Sequence, residues 1–144
     1  MKIYLLKVKR TIRYLFYRQL NTKEQIKISD ILEDSKLLSL YWNMSKADRQ
    51  HSYEVFHRIK QKTNEKDLLL LSLLHDIGKS KIHAGLFFRI LSDIGLLKGS
   101  KSDIYLKHES IGIELLVEKN ISKNIINFYK NNLLKQKNII LDKT

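Results

Sequence analysis

The stretch that decides the reading of this chain is Leu70–His83, LLSLLHDIGKSKIH. A run of leucines, too apolar all round for a surface helix, ends in His75-Asp76 and is followed at once by Ile77, Gly78 and Lys79. An imidazole and a carboxylate do not belong at the edge of a leucine interior unless they are paired or bound to something. A bound cation satisfies both. His75 and Asp76 cannot share a helical face, but at a helix end consecutive side chains can turn toward one ion.

Working outward, helical periodicity dominates and no alternating strand pattern emerges. The spacing predicts an all-α single domain, residues 1–144, of about six or seven helices. Residues 2–20 place Tyr4, Leu5, Val8, Ile12, Leu15 and Phe16 on one stripe opposite Lys2, Lys7, Lys9, Arg10, Arg13 and Arg18, a basic amphipathic helix. Its apolar stripe is expected to pack on the core, the alternative being attachment to anionic lipid or a partner. NTKEQ (21–25) reads as a break, with Ser29 or Asp30 capping a short helix to about Tyr41-Trp42. Ser45 with Asp48 resembles a capping box and opens a helix over 46–62 with Val55 and Ile59 inward. Asn64 with Asp67 gives a similar start to a helix over 65–76 that stops at Gly78. A short helix over 84–94, a loop at 95–103, a helix over 103–118 and a last one from 123, capped by Ser122, complete the pattern.

His51 lies near the start of the 46–62 helix, 24 residues before His75. From His51 to the turn near 63 and from that turn to His75 are about 12 residues each, so at roughly 1.5 Å rise per residue the two legs match. His51 and His75 are therefore expected level with each other. With no cysteine in the chain, thiolate sites and disulfides are excluded, and nitrogen and oxygen donors must hold any metal. Imidazole with carboxylate suits Mn²⁺, Fe²⁺, Ni²⁺, Co²⁺ or Zn²⁺ better than calcium. Such an ion lowers the pKa of bound water and acts as a Lewis acid on a phosphoryl oxygen. Lys79, just past the glycine, is a phosphate contact by charge. Arg49 is expected to meet phosphate or to pair with Asp48 or Asp76, and Tyr41 and Trp42 to cover the core. Nothing in the spacing selects His57 or His83.

The composition, 43% apolar and 29% charged, is that of a folded domain. The net charge of +12 sits at the ends: residues 1–28 hold eight Lys/Arg against one Glu, and 119–144 hold six Lys against Asp142. Between them, 29–118 carry thirteen of each sign, so the basic character does not belong to the His75-Asp76 segment. Heavy use of Lys, Ile, Asn and Leu is what AT-rich coding favours, and pI alone does not assign a nucleic-acid partner. No run approaches a membrane span or a signal-peptide core, and cytoplasm is the expected compartment.

RQHSYEVF (49–56), LLLLSLLHDIGKS (68–80) and YLKHESIGIELL (105–116) together resemble the HD-domain superfamily of metal-dependent phosphohydrolases in its HDIG-type form, over residues 44–144. The resemblance implies an all-α HD-type domain with His51, His75, Asp76 and, in IILDKT, Asp142 as metal ligands. It implies that His108 binds a second metal or substrate phosphate. IINFYKNN (125–132) offers Phe128, Tyr129 and Lys130 where two-metal members carry further histidines, which implies one divalent transition metal. No tyrosine is followed by proline, so cyclic-di-GMP hydrolysis is not implied. The expected activity is hydrolysis of a nucleotide or another small phosphate ester, a dinucleoside polyphosphate or alarmone among them. Asp76, His108 and Lys79 would serve the chemistry, Asp76 holding the ion and orienting or deprotonating water. The competing expectation is a catalytically weak or inactive HD-like binding or regulatory module whose basic ends contact nucleic acid, ribosome or membrane.

Overall fold

Leu68 to Leu74 are seven consecutive buried residues, and a helix hydrophobic on every side must be wrapped by others. The computed structural model describes residues 19–81 and 107–135, together with Leu5, Lys9 and Phe16. Among them the chain forms α1 (Thr22–Leu32), α2 (Ser35–Trp42), α3 (Lys46–Lys60), α4 (Lys66–Leu74), a 3-10 turn (Ile77–Lys81), α5 (His108–Glu118), α6 (Lys123–Lys130) and a π turn (Asn131–Lys135). The fold is all-α. No described helix is long and apolar enough to cross a membrane.

The α4 helix is the central rod. The α3 helix runs back along it and buries Val55, Phe56 and Ile59, while Ile28 and Leu32 of α1, Leu37 and Tyr41 of α2, Leu116 of α5 and Tyr129 of α6 complete one core. The Ser45 cap of α3 is as expected: its Oγ accepts from Asp48 N at 3.2 Å and donates to Asp48 Oδ2 at 2.6 Å.

The first described turns differ from the expectation. NTKEQ is a helix start: Asn21 Oδ1 accepts from Glu24 N at 2.9 Å and Glu24 Oε2 accepts from Asn21 N at 2.8 Å. This is a reciprocal capping box built on asparagine. Ser29 and Asp30 lie inside α1, and Asp34, not they, caps the next helix by accepting from Lys36 N. Asn21→Ala is expected to cost about 1 kcal/mol, read as a lower urea midpoint at unchanged m-value. At α4 the Asn64 cap does not form. Glu65 holds the cap position without a side-chain bond, and Thr63 Oγ1 takes the Glu65 N–H instead. Ser122 stands at the start of α6 but its side chain makes no capping bond.

The expected helix over 84–94, the loop at 95–103, His83 and Asp142 lie outside the described residues, as does the N-terminal helix save three positions. Of its apolar stripe, Leu5 is 64% and Phe16 81% exposed, so these two do not bury on the core.

Candidate metal centre

Helix α4 ends at Leu74 because the backbone tightens. His75 is the C-cap residue, and the chain turns through 3-10 geometry over Ile77–Lys81. This swings His75 and Asp76 out of the leucine rod on the side of α3. As the equal legs of the hairpin require, His51 and His75 meet, with ring centroids 5.7 Å apart at an interplanar angle of 67°. His51, His75 and Asp76 offer donor atoms that all lie within 4.8 Å of one another.

The chemistry of this donor set fits a cation. His75 Nδ1 lies 2.8 Å from the Ser72 carbonyl. A carbonyl only accepts, so Nδ1 carries the hydrogen and the ring turns its Nε2 outward. Nε2 faces Asp76 Oδ2 at 3.5 Å, a pairing that a proton on Nε2 completes or that a cation in its place would. His51, His75 and Asp76 are therefore the described residues that could hold one ion together.

Asp76 is the hub. Its side chain is 4% exposed; Oδ2 accepts from Lys79 Nζ at 2.8 Å, and Oδ1 lies 3.2 Å from His108 Nε2. Burial pushes the carboxyl up. The Lys79 ammonium, then His75 and the His108 hydrogen bond, outweigh it and hold Asp76 well below the ordinary carboxylate range. Asp76 is therefore an anion at neutral pH, suited to holding a cation. Lys79 and His108 stand on the same carboxylate, one on each oxygen.

Two glycines let α5 and α6 reach this hub. Gly78, where the helix was expected to stop, is not in the left-handed conformation of a helix-ending glycine. Its role is close approach: a Cβ there would overlap the His108 carbonyl oxygen and stand 2.8 Å from Gly112 N. The 3-10 turn and the first turn of α5 thus touch backbone to backbone, which carries His108 to Asp76. Gly112 leaves room for the Tyr129 hydroxyl, which donates to the His75 carbonyl at 2.9 Å. Burial, with the negative charges of Asp76 and Glu109, pushes the Tyr129 hydroxyl well up, so it stays a donor.

Compared with protein-family models, with curated proteins and with solved structures, the chain matches none. The arrangement is read on its own geometry. It gathers His51, His75, Asp76, Lys79 and His108, five of the six residues singled out from the sequence. The sixth, Asp142, is among the residues not described.

Sequence reading missed Ser72, whose carbonyl orients His75, and Tyr129. The only signal for Tyr129 was its aromatic ring in a segment inspected for histidine. Tyr129→Phe leaves the buried His75 carbonyl without its donor and is expected to cost about 1–2 kcal/mol. Metal affinity should fall about tenfold, as for other outer-shell losses, measured by titration calorimetry beside a urea curve. Arg49 turns to Trp42. Its guanidinium donates to the Trp42 carbonyl at 3.3 Å and stacks over the indole at 5.2 Å. His57 is exposed on α3 and stacks on Tyr53.

Proposed function

We propose that the chain is a metal-dependent phosphohydrolase of the HD type, acting on a nucleotide or another small phosphate ester with one divalent transition ion. The observation that carries this reading is the convergence of two imidazoles on a buried carboxylate, flanked by a lysine and a third histidine. When bound, an ion of the Mn²⁺, Fe²⁺, Co²⁺, Ni²⁺ or Zn²⁺ class supplies Lewis acidity toward phosphoryl oxygen and an activated water. His51, His75 and Asp76 would hold it, with Asp142 as the fourth ligand implied by the resemblance. Lys79 and His108, which stand on the two Asp76 oxygens, would bind the phosphate oxygens and balance the charge that builds there. The Ser72 carbonyl and the Tyr129 hydroxyl keep the His75 donor aimed.

The competing reading, a binding module without turnover, draws on the exposed Leu5 and Phe16 within the basic first 28 residues. Elemental analysis of protein purified without chelator separates the two, followed by a screen of nucleotides and phosphate esters with the metal found. The hydrolase reading expects about one transition ion per chain and turnover that His51→Ala abolishes. No uptake when Mn²⁺, Fe²⁺, Co²⁺, Ni²⁺ or Zn²⁺ is supplied would sink it. Uptake without turnover of any ester would favour the binding module.

A further inference from the structure

Arg49 and His51 are two residues apart on α3, so their side chains leave the helix on opposite sides. While His51 faces α4 and the metal ligands, Arg49 faces the end of α2 and helps to line a second cleft. That cleft, of about 190 Å³, lies between Gln19, Leu20, Gln25, Trp42, Lys46 and Arg49. Among the described residues its walls carry two cations, two carboxamides and one indole, and none of them is acidic. We propose that this cleft binds a phosphate monoester, through a cation pair and amide donors independent of the metal centre.

Arg49 is held ready. The buried Tyr41 hydroxyl donates to its backbone carbonyl at 2.7 Å, and the bond to Trp42 and the stack on its ring fix the guanidinium plane. One of five N–H groups is used by the Trp42 carbonyl, and the others remain to serve an oxyanion. Lys46 is exposed at the first position of α3, where the helix end is already positive and a cation is disfavoured. Asp48, the acidic residue of that turn, is buried and engaged by Ser45. Gln25 donates to the Leu20 carbonyl at 2.9 Å, which fixes its amide and leaves a second N–H.

Charge and size choose the ligand class. Two cations with no anion among the lining residues match a dianion, and a phosphate monoester is mostly dianionic above its second pKa of about 6. A volume of 190 Å³ holds about six waters' worth of liquid and falls below the roughly 300 Å³ of the smallest drug-sized pockets. A phosphate with a short carrier fits; a whole nucleotide does not.

Trp42 is the single tryptophan of the chain, so its emission reports on this cleft alone. The test titrates the intact, metal-free protein with inorganic phosphate and with glycerol phosphate, at constant ionic strength, following Trp42 emission and heat together. Acetate is the control. A saturable response to both phosphates, weakened at least tenfold in Lys46→Gln and in Arg49→Lys, is expected; the lysine keeps the charge but loses the fork. Lys46 is exposed, so Lys46→Gln leaves the fold standing. No saturable response in either readout, an equal response to acetate, or an affinity unchanged in Lys46→Gln would overturn the proposal.

Discussion

Asp76→Ala is expected to abolish metal uptake and, in the metal-free protein, to lower the unfolding free energy by about 3 kcal/mol. The carboxylate answers three neighbours: Lys79 at 2.8 Å, His108 at 3.2 Å and His75 at 3.5 Å. Removing it strands them around an apolar methyl. Breaking a buried ion pair costs about 3–5 kcal/mol. The low end applies because the Lys79 side chain keeps 15% of its surface and can turn partly to water. The pH dependence separates charge from packing. A carboxyl held below its unfolded value of about 3.9 contributes stability that is complete above that value. The contribution drains away as pH falls through the lower folded value. The difference between wild type and variant should therefore be full at neutral pH and shrink in acid. Urea curves at pH 7 and pH 3 measure it, and equal differences at both would mean that packing, not charge, carries the effect. Asp76→Asn refines the comparison, since the amide fills the space without the charge.

Gly78→Ala is the second large effect. The added methyl would overlap the His108 carbonyl, backbone that cannot swing aside as a side chain can. Overpacking typically costs about 1–3 kcal/mol; a clash with a helix's first turn belongs at the upper end or above. Relief requires the 3-10 turn and α5 to part, and parting lifts His108 from Asp76 Oδ1. The expected outcome is a loss of about 3 kcal/mol or more with a matching loss of the His108–Asp76 contact. Urea denaturation gives the first and the imidazole signals of His108 in an NMR spectrum the second. A variant as stable as wild type, with His108 unmoved, would show that the close approach is not needed. Gly112→Ala tests the same principle one layer out, because its methyl meets the Tyr129 hydroxyl, which can rotate away more cheaply.

How far the site was legible in the chain follows from how local each signal is. His75 and Asp76 are neighbours in sequence, and the end of the leucine run says where they emerge. His51 reaches them by arithmetic, since two helices of equal length about one turn must return to the same level. His108 is different: its contact with Asp76 spans 32 positions, and periodicity gives the face of a helix without the neighbour it chooses. The Asn21 capping box was local and still missed, because a polar run reads equally as a loop until the reciprocal bonds are seen. Arg49 shows the converse. Asp48 and Asp76 were the acidic partners expected for it, yet the guanidinium packs on an indole and a carbonyl. That choice depends on where α2 ends relative to α3.

The sequence by itself determined the all-α class, the buried central helix and the level pairing of His51 with His75. Each follows from apolar spacing or from equal lengths about a turn, which are properties of a single segment or a hairpin. Only the tertiary structure decided that His108 and Lys79 share one carboxylate, that Tyr129 holds the His75 carbonyl from 54 residues away, and that Gly78 serves a close approach rather than a cap. Those are choices among many side chains able to make the same bond, and packing of distant elements selects one by bringing a single backbone within reach.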